Sequence, residues 1–138
     1  MSANGPQYDV RKQLRNPLKR ARGLGSAQSG VGHWWTQRVT AAALVFLGIW
    51  FVVTVLGALH ADYATARAMI AKPWNALLLV AFVLAMCWHA VLGLQVVIED
   101  YVHGGAKTLA LVLSTFAHTL IAAASIFAVL KVAFGSVP

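Results

Sequence analysis

The sequence predicts an all-α membrane protein of three transmembrane helices, and two observations carry the prediction. Hydrophobic residues make up 59% of the 138 residues and charged residues only 11%, whereas soluble globular proteins have about 45–50% and about 25%. The apolar residues are concentrated in three charge-free runs, at 39–61, 73–98 and 108–130. Each run supplies the roughly 20 residues that a helix needs to cross about 30 Å of hydrocarbon.

These runs divide the chain into two regions. Residues 1–38 form a basic, polar N-terminal arm, and residues 39–138 form a transmembrane anchor with helices at about 39–60, 74–99 and 107–131. The arm is rich in glycine and arginine and cannot bury enough apolar surface to fold alone. Two interpretations of the arm stay open, namely binding to anionic lipid headgroups and docking of a soluble subunit on the same side.

The uneven distribution of lysine and arginine predicts the orientation. Eight of them precede the first run or lie between the second and third runs: Arg11, Lys12, Arg15, Lys19, Arg20, Arg22, Arg38 and Lys107. Three lie on the other side: Arg67, Lys72 and Lys131. Because cytoplasmic segments carry the excess of positive residues, we expect the N-terminus inside and the C-terminus outside. Topology accounts for the net charge of +7, so a nucleic-acid partner is not expected.

The entry to the first run carries the segment His33-Trp34-Trp35, followed by Arg38. Paired tryptophans are typical of a membrane interface, where the ring N–H stays in contact with water. Arg38 has two interpretations of equal weight. It is either an interfacial cation that extends its charge to water, or a fork that binds a propionate, a phosphate or a quinone oxygen.

The second run contains a histidine within a stripe of small residues. Ala81, Ala85, His89 and Gly93 recur every four residues and therefore share one helix face. Small residues on both sides of an imidazole leave room for a flat macrocycle, and an ionisable residue inside a membrane is a candidate functional site. The alternative is ordinary helix packing with His89 hydrogen-bonded across the interface.

Two further residues bear on this histidine. His118 in the third run is expected at a depth similar to that of His89, but the short link between the two helices makes them direct neighbours. Neighbouring helices lie about 8–10 Å apart, which leaves no room for a haem between them, so we interpret His118 as a packing residue.

Cys87 is the only cysteine, which excludes an internal disulfide and the CxxCH attachment of c-type haem. We expect it to be a small buried apolar residue.

The second run ends in Glu99, Asp100 and Tyr101. Carboxylates are disfavoured at the negative end of a helix dipole, so two adjacent acids there point to a neighbouring cation or a proton-handling role. The Tyr101 hydroxyl can donate a hydrogen bond to a quinone carbonyl, and Asp100 can orient a base or relay a proton.

These residues together resemble a known family. The pattern His89-x3-Gly93-x6-Asp100-Tyr101-Val102, with the upstream segments Arg15-Asn16-Pro17-Leu18 and His33-Trp34-Trp35-x-Gln37-Arg38-x-Thr40-Ala41, is similar to the small hydrophobic membrane anchor of succinate dehydrogenase (succinate:quinone oxidoreductase, complex II), in its alphaproteobacterial branch. The resemblance covers nearly the whole chain.

The resemblance implies an anchoring role with a share in two redox sites. The chain is then expected to anchor a flavoprotein and an iron–sulfur subunit at the cytoplasmic side of a bacterial inner membrane, together with a second anchor subunit. His89 is one axial ligand of a haem b shared with that second anchor. Tyr101 and Asp100 form part of the ubiquinone site, and Arg38 lies near the haem propionates or the quinone. Electrons pass from succinate to ubiquinone, and this subunit is non-catalytic alone. The alternatives are a purely structural anchor without haem and, more weakly, a small proton-coupled transporter.

Overall fold

The computed structural model describes residues 27–135, with side chains from residue 31 onward. In chain order, the described elements are four helices: α1 Ala27–Ala58, α2 Tyr63–Ala71, α3 Pro73–Tyr101 and α4 Gly105–Phe134. The all-α prediction is confirmed, and α1, α3 and α4 are each long and apolar enough to cross a membrane. The predicted arm lies outside the described residues as far as residue 26.

Helix α1 begins well before the apolar run that predicts it. The chain enters the helix at Ala27 and stays helical to Ala58, because no proline interrupts the stretch that carries Trp34, Trp35 and Arg38. Arg38 therefore lies inside a continuous helix rather than at its first turn. The chain consists of two separately packed units, and the boundary between them lies between Trp34 and Trp35. The unit that begins at Trp35 contains every residue of the predicted haem and quinone sites.

Helix α2 is short and lies at the end of the molecule opposite Tyr101. It begins because the Asp62 carboxylate accepts the Thr65 backbone N–H at 3.0 Å, as an N-cap. Hydrogen bonds from the Thr65 side chain and backbone lower the pKa of Asp62, so this cap contributes stability above the ordinary carboxyl pKa and loses it as the pH falls through the lowered value. The Arg67 guanidinium donates to the Gly135 carbonyl at 3.2 Å, which connects α2 to the end of α4.

Helices α3 and α4 are direct neighbours, as predicted, and run antiparallel. The link between them is three residues long, and Gly104 at its end has φ of +67° and ψ of −152°. Lys107 donates from its ammonium group to the Glu99 carbonyl at 3.4 Å, and Gln95 donates to the Glu99 carboxylate at 2.9 Å. A cation at the end of α3 offsets the unfavourable placement of acids there.

We expect Gly104→Ala to destabilise the protein by about 1–3 kcal/mol, because its backbone conformation is one that essentially only glycine adopts. Nothing lies within 4 Å of a Cβ built at Gly104, so the cost comes from the backbone alone. The matched control is Gly105→Ala, which has equal space and an ordinary φ. Thermal unfolding of the detergent-solubilised protein, followed by circular dichroism, compares the two. Equal melting temperatures would show that the turn is not strained.

The apolar side chains of this bundle mostly point outward. Within the described part of the chain, only Ala76, Cys87 and Ile98 are buried, and burial of Cys87 confirms its predicted role. Phe51 of α1 stacks on Phe82 of α3 with ring centroids 4.6 Å apart. Exposed apolar surface on this scale marks contact with lipid or with other helices. The chain is thus a multi-pass membrane protein.

Candidate functional site

His89 lies on α3 and faces α1. Its side chain is half-buried, and both ring nitrogens have neighbours on the other helix. Nδ1 lies 3.0 Å from the Thr40 hydroxyl oxygen, and Nε2 lies 3.5 Å from the Gln37 amide nitrogen. Because α1 and α3 run antiparallel, Gln37 and Thr40 of α1 lie beside the C-terminal half of α3. This places two polar side chains next to the predicted site histidine.

The Thr40 hydroxyl also bonds to its own helix. It donates to the Thr36 carbonyl at 2.8 Å and lies 3.1 Å from the Gln37 carbonyl. This back-bonding is usual for threonine inside a helix. The Thr40 side chain is therefore fixed, and its oxygen faces the imidazole of His89.

The Gln37 side chain lies close to Gly93 in the stripe of small residues on α3. A Cβ built on Gly93, one turn beyond His89, would lie 3.5 Å from the Gln37 amide nitrogen. The amide oxygen of Gln37 is buried and has no hydrogen-bond partner among the described residues. Buried polar atoms are nearly always paired, so this oxygen indicates a place where a donor from outside the described chain can bind.

The structure does not bring His118 together with His89. The His118 Nδ1 donates to the Ser114 carbonyl of its own helix at 2.8 Å, whereas His89 turns to α1. A groove of about 490 Å³ between α3 and α4 is lined by residues that include Gln95, Ser114 and Thr119, and it includes neither histidine. The packing role expected for His118 agrees with its hydrogen bond.

Asp100 and Tyr101 lie at the open end of α3. Tyr101 is 78% exposed and Asp100 is also exposed. Neither side chain has a hydrogen-bond or ion-pair partner among the residues that the structure describes. Tyr101 follows His89 by twelve residues, which is about 18 Å along a helix axis. Any pocket around Tyr101 therefore needs a second surface to close it.

Arg38 lies closer to the level of His89 than to that of Tyr101. It precedes Thr40, which touches His89, by two residues, or about 3 Å of helix rise toward the Tyr101 end. About 15 Å of axial distance then separates it from Tyr101. Arg38 is exposed. The family resemblance implied two contacts for it, the haem propionates and the quinone, and this level suits a group bound at His89 better than one bound at Tyr101.

Sequence reasoning did not assign a role to Thr40 or Gln37, although both stand in the motif that carries the resemblance. Their spacing of three places them on one face of α1, and polar residues at the edge of an apolar run are a detectable signal. What the sequence could not supply is the register between α1 and α3, which decides that this face meets His89.

Comparison with known proteins agrees with a membrane protein. The family model of the succinate dehydrogenase/fumarate reductase transmembrane subunit matches residues 12–130. A succinate dehydrogenase hydrophobic membrane anchor subunit from Paracoccus denitrificans is 31% identical over 88% of this chain and 94% of its own length. The protein of the same description from Rickettsia bellii is 33% identical over 91% and 90%, and that from Rickettsia felis is 37% identical over 69% and 81%. No solved structure gives a significant match.

Proposed function

The chain belongs to the succinate dehydrogenase/fumarate reductase transmembrane subunit family, and from this premise we propose that it is the membrane anchor of a succinate:ubiquinone oxidoreductase that contributes to a haem b site and a quinone site. The observation that carries the proposal is the match over residues 12–130, together with relatives named as succinate dehydrogenase membrane anchor subunits. The partners proposed are a second anchor subunit, an iron–sulfur subunit and a flavoprotein subunit.

The anchoring role is supported by the exposed apolar surface. Three long helices present large apolar side chains outward, which suits both lipid and the helices of a second anchor. The end of the bundle that carries Tyr101 is the cytoplasmic side in the proposed orientation, because the sequence before the first apolar run and between the second and third runs holds eight of the eleven lysines and arginines. The soluble subunits dock at that end, where the exposed Tyr101 can meet them.

The surroundings of His89 fit one axial ligand of a haem. A neutral imidazole with an unprotonated nitrogen is the form that binds iron. The Nε2 of His89 lies 3.5 Å from the amide nitrogen of the flexible Gln37 side chain, and the same amide nitrogen would lie 3.5 Å from a Cβ built on Gly93. A haem b bound there supplies one-electron transfer at a potential set by its ligands and its apolar surroundings. His89 would hold it from this chain, and a histidine of the other anchor subunit would supply the second ligand. Arg38, which lies about 3 Å along the helix from that level, would pair with a propionate.

Tyr101 and Asp100 act on the quinone. Ubiquinone reduction consumes two electrons, which derive from succinate through the soluble subunits, and two protons. The Tyr101 hydroxyl donates a hydrogen bond to one quinone carbonyl and holds that oxygen in place as negative charge develops on it. Asp100, exposed to water beside it, takes up protons from solvent and passes them toward the same oxygen. The iron–sulfur subunit and the second anchor close the pocket.

The anchor assignment is tested by purification through an affinity tag on this chain in mild detergent. We expect stoichiometric co-purification of two soluble subunits and one further membrane subunit, with succinate oxidation by an artificial dye. The same cells without the tag provide the control. Recovery of the chain without succinate-oxidising activity, from membranes that contain that activity, would contradict the assignment.

A structural anchor without haem is the second candidate, and one observation favours it. His89 already has hydrogen-bonding neighbours on α1 at both nitrogens, as a packing histidine would. The two candidates differ in one measurable property, which is haem in the purified complex.

A further inference from the structure

We propose that Thr40 is a positioning residue for the haem ligand: its hydroxyl oxygen accepts the Nδ1–H of His89 and so fixes the imidazole in the tautomer that presents the Nε2 lone pair to iron. The inference rests on the proposed function, in which His89 ligates haem. It adds a residue on α1 to a site whose expected ligand is on α3.

The single hydroxyl hydrogen of Thr40 is directed to its own helix. A threonine hydroxyl has one O–H to donate and two lone pairs to accept. The 2.8 Å contact with the Thr36 carbonyl and the 3.1 Å contact with the Gln37 carbonyl take that hydrogen, since a carbonyl oxygen can only accept. Toward His89 the Thr40 oxygen is therefore an acceptor.

The imidazole of His89 must then carry its hydrogen on Nδ1, which lies 3.0 Å from this acceptor. A neutral imidazole has only one N–H, so Nε2 keeps a lone pair, which faces the Gln37 amide nitrogen. The contact on the other side agrees, because the Gln37 amide nitrogen at 3.5 Å from Nε2 is a donor and not an acceptor. Two independent neighbours on α1 thus select the same tautomer.

This tautomer is the one that metal coordination through Nε2 requires. A histidine that binds a metal generally donates its other ring N–H to an oxygen acceptor, which fixes the ring orientation and increases the electron donation of the coordinating nitrogen. Thr40 is that acceptor here. The same hydrogen bond therefore holds the ring and tunes the iron, and stronger donation stabilises the oxidised iron, which carries more positive charge.

The test is Thr40→Val in the intact complex, because valine has the same shape but no oxygen. Removal of the hydrogen-bond partner of a metal-ligating histidine lowers metal affinity by about 10–100-fold. We expect at least about a tenfold loss of haem affinity, measured as haem per complex after extensive washing, and a higher midpoint potential for the haem that remains. Thr40→Ser, which keeps the hydroxyl, is expected to restore both properties.

The matched control is Thr54→Val. Thr54 makes the same bond to its own helix, to the Trp50 carbonyl at 2.8 Å, and this bond involves no imidazole. The variant is expected to keep haem and potential unchanged. If Thr40→Val does not assemble, Thr40→Ala removes the oxygen without the branched methyl groups and gives the same comparison.

The outcomes separate the inference from the proposed function. Normal haem content and potential in both Thr40→Val and Thr40→Ala would overturn the role of Thr40 while His89 remains the ligand. Equal losses in Thr40→Val and Thr54→Val would also overturn it, since a general helix effect would then explain the result. Absence of haem from the unmodified complex would overturn the inference through failure of the proposed function itself.

Discussion

His89→Ala is expected to abolish the b-type haem signal of the purified complex. The methyl group of alanine cannot coordinate iron, so a haem at the proposed site would keep only the ligand from the partner subunit. We expect haem per complex to fall by about tenfold or more, at least the loss that removal of a ligand's hydrogen-bond partner causes. Haem is measured by the pyridine haemochrome spectrum against the amount of complex.

The matched control for this prediction is His118→Ala. His118 is the other histidine of the described spans that lies away from their ends, and it is half-buried and bonded to its own helix at Ser114. We expect this variant to keep a normal haem spectrum. An intact spectrum in His89→Ala, with haem lost in His118→Ala, would exchange the roles of the two residues.

Tyr101→Phe is expected to lower the kcat/KM for ubiquinone reduction while succinate oxidation by an artificial dye stays normal. The substitution removes only a hydroxyl from a side chain that is 78% exposed at the end of α3, so little stability should be lost. One hydrogen bond is worth about 0.5–1.5 kcal/mol, and about 1.4 kcal/mol corresponds to a tenfold change. We therefore expect a decrease of up to about tenfold, measured with a short-chain ubiquinone in detergent.

Tyr63→Phe serves as the control for Tyr101→Phe. Tyr63 is 81% exposed and begins α2, at the opposite end of the bundle. Removal of the Tyr63 hydroxyl is expected to change neither ubiquinone reduction nor succinate oxidation by the dye. Full quinone reductase activity in Tyr101→Phe would remove this residue from the proposed site, and a parallel loss of dye reduction would point instead to failed assembly.

The extent of α3 and α4 was predictable, whereas the start of α1 at Ala27 and the short helix α2 were not. Runs of apolar residues fix α3 and α4 to within a few residues because burial in hydrocarbon imposes both length and composition. Helix α2 is too short for that signal. It depends on the Asp62 cap and on alanines between Tyr63 and Ala71, a local pattern that is easily interpreted as part of a loop.

Candidate residues for the site could be proposed from the sequence, but their arrangement could not. His89 was identifiable because a histidine inside an apolar run is costly, and Tyr101 because it ends that run beside two acids. The contact with Thr40 depends on how α1 is rotated and shifted against α3, which the stacked pair Phe51–Phe82 and the His89 contacts define together. Such a register arises from packing between helices, and the spacing of residues within either helix does not reveal it.

The proposal that His89 ligates haem b is tested most directly by a dithionite-reduced minus oxidised optical spectrum of the unmodified complex, purified through this chain. We expect a six-coordinate b-type signal at about one haem per copy of the chain, as a shared bis-histidine site requires. An intact complex that reduces ubiquinone with succinate but shows no haem signal would contradict the ligand role of His89 and leave the chain as a structural anchor with a quinone site.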